Sequence, residues 1–307
     1  MIDGGSGRLV LATRPSTLAR RQTEAVARDL QKAWPHITTC LVVITTEGDR
    51  VTDRPLPEIG GKGLFTQELE TALLAGQVDL AVHSLKDLPI EDRPGLKLGA
   101  ILPRQDARDV LISRKAASLE DLAPGSAVGT SSLRRQAQLL ALRPDVRARP
   151  MRGNVETRIR KVLHEDYDAA ILAAAGVIRL GLEMHIASWL PFEVMLPAPG
   201  QGALAVQCRS EDRTVLQMLA ALDDPATRAV VTSERAFLEA LGGGCSAPVG
   251  AHASPEGQGF RLRGVVASLD GREVVRVGGY GTDPAQLGRE LAEEALRKGA
   301  AVLVQSV

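Results

Sequence analysis

Between Arg8 and Leu222, short apolar runs that suit buried strands alternate with longer stretches whose apolar residues recur every three to four positions, as on one face of a helix. Nothing else in the chain constrains the fold as much. The alternation predicts an α/β architecture of mostly parallel sheets with helices on both faces. Strands are expected at Arg8 to Thr13, Leu41 to Thr45, Val78 to His83, Leu96 to Leu102, Val110 to Ser113, Ala127 to Gly129, Ala169 to Leu172 and Ala203 to Cys208. Helices are expected from a cap at Ser16 to Trp34, and at Leu64 to Ala75, Leu133 to Leu142, Val155 to His164, Ala174 to Leu180 and Thr214 to Leu222. From Glu47 to Gly63 the chain is rich in Gly, Pro and charge, which reads as a long loop of the functional or mobile kind.

Beyond Leu222 the pattern changes. A helix from Pro225 to Leu241 ends at Gly242-Gly-Gly-Cys245, and Val249 to Ala253, Phe260 to Ser268 and Glu273 to Tyr280 then alternate apolar and polar residues like antiparallel strands. A closing helix, Pro284 to Lys298, completes a small α+β domain. A length of 307 residues accommodates two or three domains at about 150 residues each.

Charge and composition narrow the ligand. Lys and Arg total 37 against 37 Asp and Glu, so no net field steers the protein toward nucleic acid or an acidic membrane. Aromatic residues make up only 3%, which disfavours stacking on single-stranded bases. No apolar run reaches the roughly 20 residues of a membrane helix, and Met1 to Arg14 lacks an export signal, so a cytoplasmic protein is expected. Cys40, Cys208 and Cys245 are too few and too scattered for a disulfide framework or a zinc cage, and no metal is expected.

Within this neutral chain, Gly129-Thr-Ser-Ser-Leu-Arg-Arg135 is followed by Arg143, Arg147, Arg149, Arg152, Arg158 and Arg160. Guanidinium forks facing one cleft suit a small ligand with several carboxylates or phosphates, whereas the same residues on an outer helix face would only be solvated. Thr130, Ser131 and Ser132 stand at the N-cap of the helix from Leu133, so hydroxyls, backbone N–H groups and the helix dipole converge beside Arg134 and Arg135. Arg152-Gly153-Asn154 repeats the arrangement before the next helix.

Two further places carry chemistry. Val82-His-Ser-Leu-Lys86-Asp87-Leu-Pro89 lies just past a strand end, the edge where α/β sheets bind ligands. His83 is either a packed residue or a catalyst. Asp87, among cations, is either a helix cap or ion-pair partner of Lys86, or an ionised carboxylate able to shuttle a proton and stabilise a developing cation. Cys40 and Cys208 sit in apolar strands and read as small core residues. Cys245, flanked by glycines that leave room beside the sulfur, reads as a nucleophile or attachment point.

Taken in order, Ala12-Thr-Arg14-Pro-Ser16, Gly60-Gly-Lys62-Gly-Leu-Phe65, His83-Ser-Leu-Lys-Asp87, Gly129-Thr-Ser-Ser-Leu-Arg-Arg135, Leu196-Pro-Ala-Pro-Gly-Gln-Gly202 and Gly243-Gly-Cys245 resemble the porphobilinogen deaminase (hydroxymethylbilane synthase) family over nearly the whole chain. The resemblance implies two periplasmic-binding-protein-like α/β domains forming a cleft, residues 1–102 with 201–221 and residues 103–200, followed by a C-terminal α+β domain, 222–307, that carries the cofactor cysteine. It also implies that the strand at Ala203 to Cys208 rejoins the first domain.

The implied reaction joins four porphobilinogens head to tail into linear hydroxymethylbilane, releasing four ammonia molecules, in tetrapyrrole (haem) biosynthesis. Carried over, Cys245 would hold one dipyrromethane per chain through a thioether. Asp87 and Lys86 would be catalytic and, with Thr130, Ser131, Ser132, Arg134, Arg135, Arg152 and Gly153, would contact that cofactor. Arg14, Ser16, Lys62, Phe65, Arg158, Arg179 and Gln201 would bind substrate. Relatives often carry a lysine before the Gly-Gly-Lys-Gly turn where this chain has Glu58, so Lys62 alone is transferred from that loop. The family further implies a monomer whose product passes to uroporphyrinogen-III synthase. The competing expectation is a cytoplasmic binding module that takes a small polyanion in the same two-lobed cleft.

Overall fold

In a computed structural model of the chain, the described residues are 7–50, 63–91, 93–164, 167–244 and 247–305. In chain order the elements are β1 (Arg8–Thr13), α1 (Thr17–Ala33), β2 (Thr38–Val43), α2 (Glu47–Arg50), α3 (Gln67–Leu74), β3 (Leu80–Ser84), β4 (Leu96–Ile101), β5 (Asp109–Ser113), β6 (Ala127–Gly129), α4 (Leu133–Leu142), β7 (Arg147–Arg149), α5 (Val155–His164), β8 (Ala169–Ala173), α6 (Ala174–Arg179) and β9 (Ile186–Leu190). They continue with β10 (Leu204–Arg209), α7 (Arg213–Ala220), α8 (Pro225–Ala240), β11 (Val249–Glu256), β12 (Gly259–Ala267), β13 (Val274–Gly281), α9 (Pro284–Arg297) and α10 (Ala300–Gln305). The described residues divide into two compact units, 7–50 with 63–104 and 203–228, and 105–202 with 229–305.

The first unit is built on a five-stranded sheet of order β2-β1-β3-β10-β4. Leu9 and Leu11 of β1 point to one face and pack with Val26 and Leu30 of α1, while Val10 and Ala12 point to the other and meet Leu69 and Leu73 of α3. Burial on both faces is why the strand reads as an unbroken apolar run, and each buried Leu contributes about 1.5–3 kcal/mol. β1 runs parallel to β2 and β3, whereas β10 runs antiparallel to both of its neighbours. The chain therefore returns to this sheet 120 positions after Ser84, whose register partner is Leu204.

The second unit contains a sheet of the same pattern, β7-β6-β8-β5-β9, in which β5 is the antiparallel strand. Leu139 of α4 covers one face with Leu111, Val128 and Ile171, and Ile159 and Val162 of α5 cover the other with Val110 and Ile112. The same unit holds the antiparallel meander β11-β12-β13. Phe237 of α8 is fully buried against it, and the space it fills exists because position 264 is glycine: a Cβ there would lie 2.4 Å from the Phe237 ring. The expected architecture of two α/β sheets and a small α+β part is thus observed, although each five-stranded sheet has two parallel and two antiparallel pairings instead of being mostly parallel.

Individual elements also differ from the sequence expectations. Residues 47–50, read as loop, form the one-turn helix α2. The rest of that loop, residues 51–62 with Glu58 and Lys62, lies outside the described residues. β7 and β9 escape the apolar pattern because they are short edge strands, one of them Arg-Ala-Arg. α10 extends the chain beyond the expected closing helix. Among the described residues, no helix is long and apolar enough to cross a membrane.

Candidate active site

In the first unit, the parallel register of β1 and β3 brings their C-terminal ends to one sheet edge. Arg14 leaves β1 there, and β3 leads through Ser84 into a 3-10 turn at Leu85–Asp87. Lys86 and Asp87 are half-buried in that turn, which the bond from Leu85 N–H to the Ala203 carbonyl ties to the returning chain. Arg14 donates from Nε and Nη2 to the two oxygens of Asp49, at 3.2 and 2.5 Å. Its guanidinium stacks 4.1 Å from the centroid of Phe65. Gly48 lets α2 close onto that ring, since a Cβ at 48 would sit 2.2 Å from it. Burial raises the Asp49 pKa, but the bonds and charge of Arg14 outweigh it and hold the carboxyl below its usual range.

Two neighbouring residues take the structural alternatives the sequence offered. The Ser16 hydroxyl accepts from Ala19 N–H at 3.2 Å as the expected cap of α1. His83 is buried, and its pKa is lowered to about 4, first by burial and then by the charge of Arg14. It is a neutral packed residue.

In the second unit, β6 delivers Thr130, Ser131 and Ser132 to the start of α4. Ser132 Oγ caps the helix at Arg135 N–H, Thr130 Oγ1 accepts from Ser132 N–H, and Ser131 Oγ exchanges two hydrogen bonds with the Met151 backbone. The three hydroxyls thus build the turn that aims Arg134 and Arg135. Both arginines are buried, at 3% and 5% exposure, and both converge on Asp109 at the start of β5. Burial raises the Asp109 pKa, but Arg134 and Arg135 together drive it well below the carboxylate range. Arg134 Nε is buried with no partner among the described residues.

Asn154 caps α5 by accepting from Thr157 N–H at 2.9 Å, as the repeated motif predicts. Gly153 takes φ +112°, a conformation that favours glycine, and its carbonyl accepts from Arg158 Nε at 2.8 Å. Arg152 and Arg158 are half-buried beside it, and burial lowers the Arg152 pKa. Arg179 donates to the Gly202 carbonyl at 2.7 Å and is lowered to about 10 by burial, so it stays charged at neutral pH.

Other members of the arginine series do different work. Arg143 is consumed by Asp145 and the carbonyls of Leu119, Glu120 and Leu122, Arg147 donates to the Gly125 carbonyl, and Arg149 lies over Tyr167. Gln201 is fully buried, with its amide donating to Asp109 and to the Ala107 carbonyl, so in this structure it braces the carboxylate that the arginines share. Cys245 lies outside the described residues, as does Lys62.

Sequence reasoning missed Asp49 and Asp109. Asp109 alone left a trace, a carboxylate opening an otherwise apolar strand.

Comparison with known proteins bears on the same residues. Residues 9–217 match the family model described as porphobilinogen deaminase, dipyromethane cofactor binding domain, and residues 229–297 match porphobilinogen deaminase, C-terminal domain. A porphobilinogen deaminase from Roseiflexus castenholzii is 50% identical over 297 residues, covering 96% of this chain and 98% of the relative. One from Geobacillus kaustophilus is 46% identical over 300 residues, covering 97% of each. Among solved structures, the methionine binding protein MetQ aligns with a TM-score of 0.46 at 12% identity, covering 73% of this chain and 93% of MetQ.

Proposed function

The chain belongs to the porphobilinogen deaminase family, and from that premise we propose how its residues divide the work. The activity is that of a hydroxymethylbilane synthase, a transferase of tetrapyrrole biosynthesis that condenses porphobilinogens on a dipyrromethane cofactor. When bound, that cofactor supplies the pyrrole carbon to which the first substrate is joined.

The residues of the second unit fit such a group. A dipyrromethane carries carboxylates, and the Arg134 Nε–H is buried with no acceptor among the described residues, on one of two guanidiniums that share a single counter-charge. This is the observation that carries the assignment of the site. We assign Arg134, Arg135, Arg152, Gly153 and the Thr130–Ser132 turn to holding the cofactor, with Cys245 as its thioether anchor.

Asp87 and Lys86 are assigned to the chemistry. As substrate loses its amino group, the methylene carbon becomes cationic. The Asp87 carboxylate stabilises that charge as the substrate's ammonium group departs as ammonia, and it accepts the proton that the attacking pyrrole carbon loses when the new bond forms. Arg14, stacked on Phe65, and Arg158 and Arg179 are assigned to the acetate and propionate groups of substrate, with Lys62 as a further cation.

The same reading divides the chain into 1–102 with 201–221, 103–200 and 222–307, with the cysteine in the last part. It also gives a cytoplasmic monomer that releases its product to a uroporphyrinogen-III synthase. The test is incubation of the purified chain with porphobilinogen. Ammonia release at four per linear tetrapyrrole, from protein whose intact mass exceeds that of the polypeptide, supports the reading. Binding of porphobilinogen without ammonia release would instead favour the polyanion-binding module.

A further inference from the structure

We infer that Asp109 is a positioning residue that aims Arg134 and Arg135 at one carboxylate of the dipyrromethane group, an inference that rests on the function proposed above. Asp109 has no exposed surface, and the rest of β5, Val110, Leu111 and Ile112, is apolar core. An ionised carboxylate in that setting is costly unless its oxygens are paired. Here they are: Oδ2 accepts from Arg134 Nη1 at 2.7 Å, and Oδ1 accepts from Arg135 Nε and Nη2 at 3.2 and 2.8 Å and from Gln201 Nε2 at 2.9 Å.

The charges set what the cluster can take. Two buried guanidiniums side by side repel each other, and one Asp109 carboxylate leaves the trio with a single positive charge. One further carboxylate brings it to neutrality, and Arg134 Nε–H, buried with no acceptor among the described residues, is a donor that carboxylate would satisfy. The neighbouring segment holds the trio in register. Arg134 Nη1 also donates to the Leu196 carbonyl at 2.7 Å, and Gln138 grips Leu196 by both its N–H and its carbonyl. At the far end of that segment, Gly200 N–H donates to the buried carboxylate of Glu234 in α8 at 2.8 Å. Along the chain, α8 runs into the glycines that precede Cys245. An asparagine at 109 keeps the shape but turns an N–H₂ donor toward guanidinium donors and removes the counter-charge.

The experiment follows intact mass over time after porphobilinogen is added to full-length chain produced without it. Wild type gains the dipyrromethane mass, and Asp109→Asn is expected to gain it at least tenfold more slowly. Leu111→Ala, which hollows the same strand without touching the arginines, is the control for lost stability and is expected to load at the wild-type rate. Loading of Asp109→Asn as fast as wild type overturns the inference, and so does equal slowing of Asp109→Asn and Leu111→Ala. If Asp109→Asn does not fold, Gln201→Met carries the test, because it deletes one support of Asp109 without changing charge. A roughly threefold slowing is then expected, and an unchanged rate overturns the inference. A wild-type chain that gains no mass overturns the proposed function and this inference together, whereas slowing confined to the variants at 109 and 201 separates the two.

Discussion

Arg14 and Asp49 form a forked ion pair, and the Phe65 ring covers the guanidinium from one side. Asp49 takes Nε and one Nη2 hydrogen of the five guanidinium N–H donors, so the pair keeps a half-buried cation oriented while its Nη1 edge can still serve a further carboxylate.

Arg14→Leu should therefore reduce kcat/KM for porphobilinogen roughly 10- to 100-fold, the value of one charge-assisted pairing. The cofactor mass on the protein should be unchanged. Arg14→Lys should recover little, because an ammonium lacks the paired fork and the flat face that stacks on Phe65. Steady-state kinetics and intact mass check both statements, and an unaltered kcat/KM in Arg14→Leu would exclude Arg14 from substrate binding.

Asp87→Asn preserves the side-chain shape in the 85–87 turn while removing its charge. Turnover should fall by about 100- to 1000-fold with KM changed by less than about threefold, since the charge is needed when the cation develops. Single-turnover ammonia release measures the chemical step directly. Near-normal release would remove Asp87 from that step.

Cys245→Ala should yield polypeptide of unmodified mass with no turnover, and Cys208→Ala should retain both adduct and activity. Cys208 has no exposed surface, and burial pushes its thiol up to about 11, so at neutral pH it is an uncharged core residue. Intact mass of the two variants decides between the sulfurs.

His83 gives a pH signature. Burial lowers its folded-state pKa to about 4 from the usual 6.5, so the unfolded chain takes up a proton over that interval and the folded chain does not. The contribution is fully present above about pH 6.5 and is lost as pH falls toward 4, up to on the order of 3 kcal/mol. Urea midpoints measured from pH 7 to 4.5 should fall more steeply for wild type than for His83→Gln. Parallel curves would mean that His83 titrates normally in the fold.

Gly202 occupies φ +90°, and a Cβ there would lie 2.3 Å from the Gln105 carbonyl oxygen. Gly202→Ala should cost about 2–4 kcal/mol, combining left-handed backbone strain with a clash against main chain that cannot swing aside. Because the Gly202 carbonyl also accepts from Arg179, KM should rise alongside the loss of melting temperature. Unchanged thermal stability would show that the 196–202 segment tolerates a different backbone path.

Much of this was legible in the sequence where one residue carries its own signal. Ser16, Ser132 and Asn154 each cap a helix at the expected place, because capping depends on three or four adjacent residues. The strand hydrophobicity of Leu9 to Ala12 and Val110 to Ile112 likewise announced sheets buried on both faces. What could not be read was partnership at long range. Asp109 and Arg134 are 25 positions apart, Gln201 and Asp109 are 92 apart, and neither pair leaves a periodic trace. The same limit made Arg143 and Arg147 look like ligand-binding cations when their acceptors are nearby carbonyls, since a guanidinium satisfied by main chain has the same sequence signature as one waiting for a ligand.

The return of β10 between β3 and β4 has a consequence for the nascent chain. A ribosome must make every residue of the second five-stranded sheet before Leu204–Arg209 emerges to complete the first. Until then β3 and β4 each present an edge awaiting β10, an adhesive surface of the kind that chaperones shield. The earlier-synthesised sheet is thus the later one to close, and a chain truncated before residue 204 would leave that surface permanently open.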